Sequence, residues 1–223
     1  QMACELHMEA KHSIEKQSAW HADCFTTVSR FTDRECNQLL DKAADVVLPN
    51  GFENDFVPQG ASFTSVRRQA RKRILEVANA LTGSQMTDDT LIVSTSGRND
   101  YRCKGFDVFL ETMARLRAEL NESGDEQKQV LALIEVPCWL KGPRADLQKR
   151  LTEKYAEGSA LPNPIITHDL YNLTDDRIVN QIWHLGLQNL PTDKVKVILV
   201  PCYLEGNDGI FNMPYYHLLA AND

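Results

Sequence analysis

The 223-residue chain is 43% hydrophobic and 25% charged, with a formal net charge of −7. This is the profile of a globular protein with enough apolar material for one large domain or parts of two. The acidic balance, with a pI near 5.4, argues against a nucleic-acid partner, because an acidic surface repels phosphates. Any anionic ligand then needs a local basic cluster. No apolar run approaches the roughly 18 residues of a membrane helix, and no signal-peptide pattern opens the chain. The six cysteines are scattered without a C-x-x-C pair, which reads as reduced thiols in a cytosolic protein. His21 and Cys24 have ligand-like spacing, but no second pair accompanies them, so no metal site is expected.

In chain order, residues 8–21 have helical period, with Met8, Ile14 and Ala19 sharing much of one face. A short strand is expected over 23–29. Thr32 and Glu35 form a capping-box pattern that starts a helix running to about Leu40. Val46 to Leu48 read as a strand, broken by Pro49-Asn50-Gly51. Residues 63–81 form a basic amphipathic helix with Ala70, Ile74, Val77 and Leu81 on its apolar stripe. The run RRQARKR over 67–73 reads as a solvated helix face.

A strand begins at Leu91-Ile92-Val93 and ends at Gly97. A helix follows over 106–120, with Val108, Phe109, Met113, Leu116 and Leu120 on one stripe. VLALIEV, residues 130–136, is a near-continuous apolar strand. A charged surface helix is expected over 144–155, a strand over 162–167, a helix over 174–187, an apolar strand over 195–199 and a last helix over 213–221. Asp175 and Asp176 suit the positive N-terminus of the helix over 174–187. Trp139 and Trp183 read as core or interface. Neither end carries a cap or tail, and the chain is expected to be an internal piece of something longer.

Strands alternate with helices, and the later strands are apolar on both faces. That pattern predicts α/β architecture: a parallel, Rossmann-like sheet with helices on both sides from about residue 54 onward, and a separate closing segment over 1–48. In such sheets ligands bind beyond the carboxyl ends of the strands, so the loops after Val93, Val136 and Leu199 are where a site belongs.

The first of these loops carries the clearest chemistry. In STSGRNDYRCKGFDVF, residues 94–109, Gly97 permits a tight turn, Arg98, Arg102 and Lys104 follow within seven residues, and Gly105 opens a helix. Three cations and a helix N-terminus at a sheet edge suit an anion such as a diphosphate. A solvated basic loop paired with Asp100 or Asp107 accounts for the same residues, and both readings stand at this point.

The run G-R-x-x-x-x-x-K-G-x-D-V-F-L-E-x-x-x-R-L, Gly97 to Leu116, resembles the donor-site segment of eukaryotic-type glycogen synthases. ADCFTTVS (22–29), VVLPNG (46–51) and VKVILVPCYL (195–204) resemble further family segments in the same order. The resemblance covers nearly the whole chain and is weakest over 140–165. It implies a GT-B fold, with 1–50 closing the N-terminal domain and crossing over, and 51–223 forming a truncated C-terminal nucleotide-sugar domain. It implies retaining transfer of glucose from UDP-glucose to the non-reducing end of an α-1,4-glucan such as glycogen, in the cytoplasm and without a metal or other cofactor. Neither nucleic acid nor membrane is implied as a partner, and a homo-oligomer stays open.

By motif position, Arg98 and Lys104 carry over as catalytic cations that clamp the diphosphate. Tyr203 and Tyr215 carry over as aromatics around the uracil. Arg102 falls where the family varies. Asn99, Asp100 and Cys103 depart from the family pattern and alter the shape expected of the loop. His168, in a family-like Thr-His pair, reads as a packed structural residue. The family's aromatic-Glu-Pro-Trp-Gly motif is expected after Asp223, and its glycine-rich loop and catalytic histidine before Gln1, so this stretch alone is not expected to turn over. A catalytically inactive nucleotide-binding or packing domain, or another GT-B transferase acting on sucrose- or trehalose-related substrates, are the competing readings.

Overall fold

The computed structural model describes residues 2–124, 128–153 and 159–223. The chain divides into two compact units, Gln1–Asn54 and Asp55–Asp223. The first holds helices α1 (Met2–Glu5), α2 (Glu9–His21) and α3 (Arg30–Leu40) and a parallel pair, β1 (Thr26–Thr27) with β2 (Val46–Val47). The N-cap of α3 is Ser29, whose Oγ accepts from the Thr32 N–H at 3.1 Å. Thr32 therefore lies inside the first turn, and the expected capping box at Thr32 and Glu35 is corrected to a cap three residues earlier. Ala19 of α2 is buried, but Met8 and Ile14 are exposed, so the expected shared apolar face is not a buried one.

The second unit is built on a parallel sheet in the order β3 (Leu91–Ser96), β4 (Val130–Glu135), β7 (Val195–Val200). Val130 pairs with Leu91 on one side and Val195 on the other. Every residue of β4 and β7 is buried, as expected for strands covered on both faces. Alternation along β4 sends Leu131 and Leu133 into one core with Ile74 and Leu81 of α4 (Gly60–Thr82). Val130, Ala132 and Ile134 enter a second core with Leu110 of α5 (Phe106–Glu122) and Ile178 and Ile182 of α7 (Arg177–His184). The α5 stripe is rotated from the expected one. Phe106, Leu110 and Met113 are the buried residues, while Val108 faces water. The residue just after Gly105 enters the core, and that sets the phase of the helix.

The segment over 162–167 does not form the strand expected of it. It makes one parallel bridge, Ile166 to Leu199, because Pro162 and Pro164 have no N–H to donate to a ladder. The chain then turns into β6 (His168–Leu170), antiparallel to β5 (Leu140–Pro143). The charged helix becomes α6 (Ala145–Thr152); Tyr155, at its expected end, lies outside the described residues. The helix expected over 174–187 splits into a 3-10 turn and α7, whose N-cap Asp176 accepts from the Val179 N–H at 3.0 Å. The last helix is short, α8 (Tyr215–Leu219).

The basic run over 67–73 is not simply a solvated face. Arg71 is buried and donates to the carbonyls of Asp88 and Thr90, both at 2.7 Å, to the Ala221 carbonyl at 2.9 Å and to the Asp223 carboxylate at 2.8 Å. Arg67 also bonds Asp223, and Arg73 bonds the Ile210 carbonyl. Arg68 and Lys72 are exposed and fit the expected face, where Lys72 makes an i,i+4 pair with Glu76. No helix among the described residues is long and apolar enough to cross a membrane.

Candidate donor-binding site

The loop between β3 and α5 leaves the sheet at its carboxyl edge. Its backbone closes on itself: the Lys104 N–H donates to the Asp100 carbonyl at 2.9 Å, and the Phe106 N–H to the Tyr101 carbonyl at 3.1 Å. Gly105 caps α5 in the left-handed region at φ 69°, a conformation glycine adopts without steric cost. Gly97 stands at φ 154°, a backbone conformation that side chains other than hydrogen disfavour. A Cβ there would lie 3.3 Å from Cδ of Lys104, so the lysine stem lies across the glycine. Arg98 and Lys104 therefore flank one point of the chain.

Arg98 is 84% exposed, with Nη2 3.3 Å from the Asp100 carboxylate. A water-facing pair of this kind contributes at most about 1 kcal/mol, so a stronger anion displaces it readily. Lys104 has no ion-pair partner among the described residues. Asp107 makes no ion pair with these cations among the described residues, and its carboxylate accepts from the Val108 N–H at the head of α5. Asn99 braces the turn, donating to the Asp176 carboxylate at 3.2 Å and contacting the Cys138 sulfur at 3.3 Å.

A cleft of about 540 Å³ opens at this edge, within the range of small-molecule sites. Ser96, Gly97 and Arg98 from the loop after β3 line it together with Tyr203, Leu204 and Tyr215. Three of the four expected donor residues thus share one cleft, and the fourth, Lys104, packs on its Gly97 wall. The Tyr215 hydroxyl is fixed by Ser96 Oγ at 2.7 Å, while Tyr203 is 72% exposed and free to lie against a ring. Arg102 does not join them. It lines a different cleft with Tyr101, Arg177 and His184.

The cleft also contains a residue that the motifs do not mark. Glu135, the last residue of β4, lines it and is buried, and burial pushes its acid up to about 7. Its sequence signal is a lone acid near the end of an otherwise apolar central strand.

His168 is a packed residue. Its ring nitrogens lie 2.8 Å from Thr167 Oγ1 and 3.0 Å from the Asp208 carbonyl, and burial lowers its pKa. Ligand atoms of His168, Cys202 and Asp208 lie within 4.8 Å of one another. They are already committed, however. Both imidazole nitrogens are bonded, the Asp208 carboxylate accepts from the N–H groups of Ile210, Phe211 and Asn212, and the Cys202 thiol is pushed up to about 12 by burial. His21 is likewise engaged, with the Gln17 carbonyl. Trp183 is partly buried against the second core. Trp139 is not core: it is 71% exposed, with its ring 5.0 Å from that of Tyr171.

The chain is 28% identical to the glycogen [starch] synthase of Neurospora crassa, over 92% of this chain and 36% of the relative. It is 26% identical to glycogen [starch] synthase isoform 2 of Saccharomyces cerevisiae, over 92% and 37% of the two chains. It is 25% identical to the liver glycogen [starch] synthase of Homo sapiens, over 96% and 37%. The chain thus spans a little over a third of the length of these curated relatives. The family model described as glycogen synthase matches residues 1–142 and 145–221. With that match across nearly its whole length, on an α/β unit with a parallel sheet and helices around it, the chain belongs to the glycogen synthase family.

Proposed function

We propose that the protein carrying this chain is a retaining glucosyltransferase of GT-B architecture. It moves glucose from UDP-glucose to the non-reducing end of an α-1,4-glucan in the cytoplasm. Residues 55–223 supply the donor-nucleotide side, and residues 1–54 close the N-terminal domain. The observation that supports this most is the shared cleft at the carboxyl edge of the sheet, lined by Arg98, Tyr203 and Tyr215, with Lys104 against its Gly97.

In the reaction the bond from glucose C1 to the diphosphate oxygen breaks as the bond from C1 to the acceptor oxygen forms, and the proton of the acceptor hydroxyl passes to the departing diphosphate. Negative charge grows on the departing UDP. Arg98 offers the diphosphate a planar fork of donors, and Lys104 adds a compact charge. Each offsets the developing charge by roughly 2–4 kcal/mol, the usual scale for a preorganised transition-state donor. On this reading the two cations take the part a divalent metal plays in other transferases, and no cofactor is needed. Tyr203 and Tyr215 hold the uracil by stacking.

The test is incorporation of radiolabelled glucose from UDP-glucose into glycogen by the full-length protein. Replacing Arg98 or Lys104 with Ala should lower the rate by about 30- to 1,000-fold. Unchanged incorporation in the double variant would remove both residues from the site. Absence of incorporation by the unmodified protein, alongside retained UDP binding, would instead favour a nucleotide-binding domain without turnover.

A further inference from the structure

Glu135 is the part of the cleft that the diphosphate clamp leaves unexplained. It is 4% exposed, and its Oε2 is buried with no hydrogen-bond partner. Buried polar atoms are rarely left this way, because an unmet hydrogen bond costs the full desolvation of the group. The titratable groups that line the cleft with it come from three elements: Arg98 from the loop after β3, Cys202, Tyr203 and Glu205 from the loop after β7, and Tyr215 at the head of α8. None satisfies it. Arg98 is turned toward Asp100, the Tyr215 hydroxyl is held by Ser96, and the Cys202 thiol is neutral at ordinary pH. Glu205 is exposed and of like charge.

An ionised Glu135 would oppose a nucleoside diphosphate in the same confined space, where like charges repel strongly. A neutral carboxyl has the opposite character: it offers one O–H donor and an acceptor oxygen side by side. Either the donor or the acceptor can meet one polar group of a uracil edge, which carries both carbonyls and an N–H. Glu135 lines the same cleft as the two tyrosines.

We propose that Glu135 is a donor-contacting residue which, as the neutral acid, hydrogen-bonds the uridine part of the nucleotide sugar, so that binding takes up a proton. This rests on the donor-site reading above. Burial alone raises the acid to about 7 in the free protein, so near neutral pH the group stands close to half-charged, and the ligand draws it to the neutral side.

The experiment is calorimetric titration of the full-length protein with UDP-glucose, whose phosphate groups do not titrate near neutrality. It is run at pH 7.5 in buffers of different ionisation heat, and then from pH 6 to 8.5. The expected result is uptake of most of one proton at pH 7.5 and an affinity about 15-fold weaker at pH 8.5 than at pH 7. Glu135→Gln keeps a donor and an acceptor but cannot titrate, so it should abolish the uptake and flatten the profile. Glu135→Leu should weaken binding about tenfold at pH 7. Equal uptake and slope in the Gln variant, or unaltered affinity in the Leu variant, would overturn the proposal. If UDP-glucose binds and Arg98→Ala weakens it while the Glu135 variants behave as the parent, this inference alone falls. If Arg98→Ala has no effect, or UDP-glucose does not bind, the donor-site reading falls first.

Discussion

Glu135→Gln should also change the stability of the free protein, in a way that depends on pH. The acid titrates near 4.5 when solvated and near 7 in the folded sheet. Between those values the folded state keeps a proton that the unfolded state releases, so stability falls as pH rises. The contribution of the neutral acid is complete below about pH 4.5 and has been lost once the pH passes 7. Each tenfold difference in proton affinity between the two states corresponds to about 1.4 kcal/mol, so the full loss is about 3 kcal/mol. Most of that change falls between pH 5 and pH 8. Glutamine has no proton to lose, so the variant should gain on the parent by roughly 2–3 kcal/mol across that interval. Urea unfolding of both proteins at pH 5, 6, 7 and 8 reads the difference directly. A stability difference that stays constant across the four pH values would refute the reasoning, since it would mean that the carboxyl is not held neutral by burial.

Arg71→Met should destabilise the second unit by about 3–5 kcal/mol, because it leaves the carbonyls of Asp88, Thr90 and Ala221 without the donor they share and takes one of two arginines from the Asp223 carboxylate; the urea midpoint measures it. Gly209→Ala should cost about 1–3 kcal/mol, because φ is +84° and the new Cβ would fall 2.8 Å from Cγ of Pro143. The same unfolding assay checks this, and a stabilised variant would contradict the placement of the loop beside Pro143.

The parts of the fold readable in the sequence are those whose physics is local and periodic. VLALIEV and VKVILV are apolar on both faces, as strands of a covered parallel sheet are, and they form its middle strand and one of its outer strands, both fully buried. Ala70, Ile74, Val77 and Leu81 form the expected stripe. Periodicity alone starts the α5 stripe at Val108, yet Phe106 sets its phase, because the cap at Gly105 decides which residue first meets the core. The basic run over 67–73 misleads for a different reason. Arg71 finds its partners about 150 residues away, at Ala221 and Asp223, and no local pattern encodes that distance. The strand expected over 162–167 fails on two prolines that cannot join a ladder.

At the site, motif order locates Arg98, Tyr203 and Tyr215 well enough to share a cleft, and Lys104 beside it. It does not show that Arg98 rests against Asp100 in the free protein, nor that Arg102 belongs to another cleft. Glu135 is visible in the sequence as an acid at the end of an apolar run. Its importance depends on what surrounds its carboxyl, and a sequence does not state that.

The proposed grip of Arg98 and Lys104 on a diphosphate, at the carboxyl edge of the β3-β4-β7 sheet, is tested most directly by a crystal structure of the full-length protein with UDP. Phosphate oxygens are expected within about 3 Å of the Arg98 guanidinium and the Lys104 ammonium, with the uracil ring against Tyr203 and Tyr215. A diphosphate bound elsewhere, with Arg98 still paired to Asp100, would contradict it.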